Sequence, residues 1–188
     1  MTWSVQSLSS APPQAWKNGG GVTRELLVWP AAHDWRVRVS VAEIAADGPF
    51  SSFPDVKRWF AVLKGDGVML RVSGDSTELN TASSPFAFCG EALTQCALVG
   101  GSTQDINLML RGVGGQMQRV KGSHHSQLSA SPMRPKLIGV YAVHEAGQLG
   151  VGQERLALPA HALAWRIVTE SGDVGVTSGE AIWMEIAL

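Results

Sequence analysis

Lys17, Asn18, Arg24, Glu25, Arg58, Asp105 and Asn107 are the side chains whose types and spacing could hold a small charged molecule. The first four fall in one run, residues 16–25, reading Trp-Lys-Asn-Gly-Gly-Gly-Val-Thr-Arg-Glu. Three successive glycines are costly to order, so they imply unusual dihedrals or a close approach to another group. With a cation and an amide before them and a polar strand after them, that group reads as a small polar ligand. The plainer reading is a flexible turn ahead of a strand. On that strand Arg24 points opposite to Thr23 and Glu25, so only one set can face a cavity. Asp105 and Asn107 alternate with apolar neighbours and share a face; for them the plainer reading is an exposed sheet face.

If these side chains converge, the chemistry is amphoteric. Lys17 and Arg58 would grip a carboxylate, a guanidinium offering it a rigid fork. Asp105 would pair with a protonated nitrogen, and Asn18 and Asn107 would fix orientation. Arg24 or Glu25 would stand at the wall. Buried charges need partners, so such a pocket calls for water or a small anion such as formate. The main alternative is an enzyme in which Asp105, Lys17 or Glu25 acts as acid or base on the same ligand. A third is an assembly protein pairing through exposed strand edges. No Gly-x-Ser-x-Gly elbow or Gly-Lys-Ser/Thr phosphate loop occurs. The glycine run precedes a strand, so it offers phosphate no helix N-terminus.

The elements that must position these residues are strands. Residues 35–41 alternate strictly, Trp35, Val37, Val39 and Val41 against Arg36, Arg38 and Ser40. That pattern predicts a half-buried antiparallel strand with Arg36 and Arg38 on a solvated face. Further strands are expected at 22–29, 59–63, 68–72, 105–111, 137–144, 154–158, 164–169 and 181–186. The Lys64-Gly65-Asp66-Gly67 turn reads as a hairpin, and 54–58 offers at most a helical turn. Residues 112–135, rich in Gly, Ser and Gln, read as a crossover between two lobes, with His124 and His125 in a polar loop. Trp16, Trp35 and Trp59 are expected in the core. Many short strands predict an all-β fold of sandwich, jelly-roll or barrel type, able to hold a ligand in its mouth.

The chain has 188 residues, 45% hydrophobic, with a formal charge of -1. That size allows one large domain or two small fused ones. Its fifteen basic residues form no stripe, which disfavours nucleic acid, and no apolar run suits a membrane span. The N-terminus lacks a secretory pattern, so the cytoplasm is expected. Cys89 and Cys96 fit no redox or zinc spacing and read as small buried thiols. His144, Glu145 and His161 read as surface or satisfied residues.

Residues 48–58, continuing to the 65–67 turn, have the outline of the first cupin motif, yet its histidine positions hold nothing that ligates. Arg58 falls about where that motif has its carboxylate. With the 16–25 run, the 35–44 strand and Asp105-Ile106-Asn107-Leu108-Met109, this segment resembles the HutD/Ves family over residues 14–111. Ile106 replaces a usual Phe, Asp55 a usual Gly, and Lys57 an often acidic residue. The resemblance implies a bicupin of two jelly-roll-like barrel lobes, 1–118 with the pocket and 119–188, with strands able to cross between them. It implies no bound metal and no cofactor. It also implies a regulator or sensor tied to histidine utilisation, binding a carboxylate metabolite such as urocanate or formiminoglutamate. Its expected partners are that metabolite and a second copy in a homodimer, with neither nucleic acid nor membrane.

Overall fold

The computed structural model describes residues 2–188. The strands of the first half are β1 (Ser4–Ser7), β2 (Pro13–Ala15), β3 (Gly21–Trp29), β4 (Val37–Ile44), β5 (Gly48–Pro49) and β6 (Val56–Lys64). Next come β7 (Val68–Val72), β8 (Asp75–Leu79), β9 (Phe86–Cys89), β10 (Thr94–Leu98) and β11 (Thr103–Arg111). The rest are β12 (Gly114–Leu128), β13 (Lys136–Ala142), β14 (Gly147–Val151), β15 (Glu154–Leu158), β16 (Ala162–Val168) and β17 (Gly172–Ala187). One 3-10 turn, Leu8–Ser10, is the only helical element among the described residues. The fold is all-β, as the period-two patterning requires.

Two compact units divide the chain: Ala11–Gly112, and the residues up to Ser10 together with Val113–Leu188. The division falls at 112/113, and β1 belongs with the later strands because its backbone pairs with β16.

In the Ala11–Gly112 unit, one sheet runs β2-β3-β4-β11-β6-β9 and the other β5-β10-β7-β8, all antiparallel. Between them lie Ile44, Phe60, Val62, Val68, Leu70, Leu79, Phe88 and Cys96. The 64–67 turn does not close a hairpin, because β6 pairs with β11 and β9 while β7 pairs with β10 and β8. It carries the chain from one sheet to the other. Gly65 and Gly67 take φ of 100° and 121°, and a Cβ on Gly67 would lie 2.5 Å from the Leu79 carbonyl oxygen. Residues 54–58 form no helical turn. Asp55, at φ 60°, turns the chain directly into β6 from a left-handed position that favours glycine, asparagine or aspartate.

The second unit has a sheet in the order β1-β16-β13-β17-β14-β15, with β12 alongside β17. Ile138, Val140, Ala142, Ala164, Leu149, Val176 and Trp183 fill its interior. The expected 112–135 crossover is instead mostly β12, which pairs with β17 from Gly114 to Leu128. Its glycines and polar side chains hid the strand, because Met117, Val120 and Leu128 are too widely spaced to show an alternating apolar face. His124 and His125 therefore sit on a strand, and the His124 ring meets Trp183 edge-on at 4.9 Å. No helix among the described residues is long and apolar enough to cross a membrane.

Candidate functional site

A cavity of about 690 Å³ opens in the Ala11–Gly112 unit, on the inner face of the β2-β3-β4-β11-β6-β9 sheet. Register decides which side chains reach it. Arg58 on β6 stands opposite Met109 on β11, which stands opposite Arg38 on β4. The next row is Phe60, Asn107, Ser40 and Glu25, and the one beyond it Val62, Asp105, Ala42 and Thr23. Side chains in one row share a face, so the strand pattern brings a polar belt to one wall.

Four of the expected residues, Lys17, Asn18, Arg58 and Asn107, line this cavity. Lys17 and Asn18 lie in the turn between β2 and β3, closed by hydrogen bonds from Trp16 N–H to the Gly21 carbonyl and from Gly19 N–H to the Trp16 carbonyl. Asn18 Oδ1 accepts the Gly20 N–H at 3.0 Å, leaving its amide nitrogen free to donate to a ligand. The glycines serve the turn itself. Gly19 has φ 72°, and a Cβ on Gly21 would lie 2.4 Å from the Glu43 carbonyl oxygen and 3.1 Å from the Trp16 ring.

Arg58 is the unusual group. It is 6% exposed, and no ion pair with a carboxylate is formed by it among the described residues. Nη2 donates to Asn107 Oδ1 at 3.0 Å and Nη1 to the Ser51 carbonyl at 3.5 Å, while Nε is buried without a partner. The rings of Phe88, Phe50 and Phe53 surround the guanidinium at 4.9, 5.2 and 5.6 Å. Aromatic faces attract a cation without cancelling its charge. Burial, and then the nearby Arg38 charge, pull the Arg58 pKa down to about 10. It remains a cation at neutral pH.

Three sequence expectations need correction. Arg24 turns away from the cavity, its Nη1 donating to the Ala11 carbonyl at 2.7 Å, because it occupies the opposite face to Thr23. Glu25 shares the cavity face but is already engaged, with Oε1 2.5 Å from Arg38 Nε and Oε2 accepting from Gln14 Nε2 at 3.2 Å. Asp105 has the expected orientation yet is fully buried behind the lining, with Thr103 Oγ1 donating to its Oδ2 at 2.8 Å and Oδ1 left unpartnered. Burial pushes its pKa up to about 7, against the opposing hydrogen bond from Thr103. It does not reach a ligand in the cavity.

Sequence reasoning missed Arg38 and Trp16, both of which line the cavity. Arg38 shares its strand face with Ser40 and Ala42, and both of those are buried. Two small residues after an arginine were the available signal that the face is covered. Trp16 is half-buried, its indole N–H donating to Thr23 Oγ1 at 2.8 Å. Trp35 and Trp59 are core residues as expected. Cys89 is exposed, unlike buried Cys96. Among the described residues, no three His, Cys, Asp or Glu side chains gather into a metal-holding cluster.

The family model described as HutD matches residues 8–184. Protein Ves of Citrobacter koseri is 38% identical over 102 residues, covering 53% of each chain. A 21.2 kDa protein in the hutC 3′ region of Pseudomonas putida is 38% identical over 100 residues, 52% of this chain and 53% of that one. The match thus spans about half the length of these curated relatives. The structure of HutD from Pseudomonas fluorescens SBW25, in a formate condition, superposes with a TM-score of 0.83 at 27% identity, covering 98% of both chains. Bacillus subtilis oxalate decarboxylase shares the fold alone, with a TM-score of 0.61 at 9% identity over 97% of this chain and 76% of that one.

Proposed function

Because this chain belongs to the HutD family, which is associated with histidine utilisation, we propose that it is a bicupin whose Ala11–Gly112 unit binds a small carboxylate metabolite as a regulator or sensor. The observation that carries this reading is Arg58, a buried cation facing a cavity with no anion of its own. A buried uncompensated charge is costly, and an incoming carboxylate relieves that cost. Lys17 adds a second cation at the rim and the Asn18 amide a donor. The rings of Trp16, Phe50 and Phe60 give a planar ligand apolar walls. Urocanate, with a carboxylate and an imidazole, and formiminoglutamate both fit this pattern. Formate, named in the condition of the Pseudomonas fluorescens structure, is the smallest carboxylate that would test it. The guanidinium supplies the charge, so the reading needs no metal.

Asp105 has no part in ligand contact or acid–base chemistry in this proposal, since it is fully buried and outside the cavity lining. The test is calorimetric titration of the full chain with formate, urocanate and formiminoglutamate, and with Arg58→Ala as the comparison. Loss of one charge-assisted contact weakens affinity by about ten- to a hundredfold. An Arg58→Ala protein that binds like the parent sinks the carboxylate assignment. Conversion of any of these compounds, followed by NMR, would favour the acid–base enzyme instead.

A further inference from the structure

The two units repeat one winding, and the repeat isolates what makes the cavity an anion site. In the Ala11–Gly112 unit four strands lie side by side as β4-β11-β6-β9; in the other they lie as β12-β17-β13-β16. In chain order both read first, last, second, third. The registers also correspond. Arg58 on β6 faces Met109 on β11 and bonds the side chain two residues earlier, Asn107. Lys136 on β13 faces Ala187 on β17 and likewise bonds the side chain two residues earlier, Glu185, at 2.5 Å. Along the strand each cation is followed on its own face by apolar residues, Phe60 and Val62 in one unit, Ile138 and Val140 in the other.

The chemistry differs at one place. Glu185 cancels the charge of Lys136, and neighbouring Arg166 is cancelled by Glu154. Asn107 gives Arg58 a carbonyl oxygen of similar reach but no charge. We infer that the neutral side chain of Asn107 is the specificity determinant that leaves Arg58 open to an anion, while Glu185 closes the equivalent position of the other unit. This rests on the carboxylate reading of the cavity. It goes beyond it by assigning selectivity to a residue that need not be the ligand's strongest contact. An aspartate at 107 is the same size as asparagine and would reproduce the self-neutralised pair, so an incoming carboxylate would have to compete with a carboxylate already bonded to the guanidinium.

The experiment titrates formate and urocanate into the full-length parent, Asn107→Asp and Asn107→Ala, with thermal unfolding of each. Asn107→Asp should lose about a hundredfold in affinity, the scale of a charge-assisted contact. Asn107→Ala removes the hydrogen bond but leaves Arg58 charged, and should lose no more than about tenfold, the scale of a neutral hydrogen bond. A merely structural role gives the reverse order, because alanine changes shape and aspartate does not. Asn107→Asp should also unfold no earlier than the parent, which separates a blocked site from a damaged fold. Equal binding by parent and Asn107→Asp overturns the inference and leaves the anion site standing. A parent that binds neither formate nor urocanate overturns the anion site itself, and the inference with it.

Discussion

Replacing Asp105 with asparagine should remove a specific piece of the pH dependence of stability. Burial lifts this carboxyl from 3.8 to about 7. Between those values the folded chain holds a proton that the unfolded chain has released. Stability must therefore fall as pH rises through this window, the reverse of the behaviour of a salt-bridged aspartate. Each pKa unit is worth about 1.4 kcal/mol, so a rise from 3.8 to about 7 amounts to about 4 kcal/mol by neutral pH. Asparagine keeps the size and can still accept from Thr103, but never ionises. The assay is urea unfolding of parent and Asp105→Asn at intervals from pH 4 to pH 8. The stability difference, variant minus parent, should climb steadily in favour of asparagine and level off above pH 7. Other titrating groups, common to both proteins, cancel in that difference. The amide placed where unpartnered Oδ1 now sits adds a constant offset of about 1–3 kcal/mol against the variant, without changing the slope. A difference that stays flat across the whole range refutes the argument that this buried carboxyl is neutral in the folded state.

Arg58→Met should weaken carboxylate binding by about ten- to a hundredfold yet raise the stability of the unliganded chain by about 1–2 kcal/mol, because an uncompensated buried cation is replaced by an apolar side chain; urea unfolding without ligand checks it. Gly21→Ala should cost about 2–3 kcal/mol in the same assay, since its Cβ would meet the Glu43 carbonyl oxygen at 2.4 Å and neither backbone yields easily. Iodoacetamide should label Cys89 rapidly and spare Cys96 in the native protein, as mass spectrometry would read. Burial and the nearby Asp105 and Asp47 push the Cys96 thiol up to about 12, leaving almost no thiolate, and denaturant should restore a second adduct.

Period-two alternation was enough to specify an all-β chain, the strands at 154–158 and 68–72, and the shared face of Asp105 and Asn107. These are local properties, because a strand's facing is set by parity along its own residues. The glycine run likewise foretold a constrained backbone, and Gly19 and Gly21 supply the reasons. Parity, however, does not say what covers a face. Arg38 looked solvated because it alternates with valines, and only the pairing of β4 between β3 and β11 turns it into a cavity. The same limit explains Asp105, which is oriented as expected but fully buried and outside the cavity lining. β12 shows no continuous apolar alternation, with only Met117, Val120 and Leu128 as apolar side chains withdrawn from solvent, and exists largely through its pairing with β17. The sequence by itself determined which residues could carry charge and which way each strand would turn them. The tertiary structure decided which of those charges would meet an opposite one, because Arg58 and Asn107, like Lys136 and Glu185, are brought together only by cross-strand register.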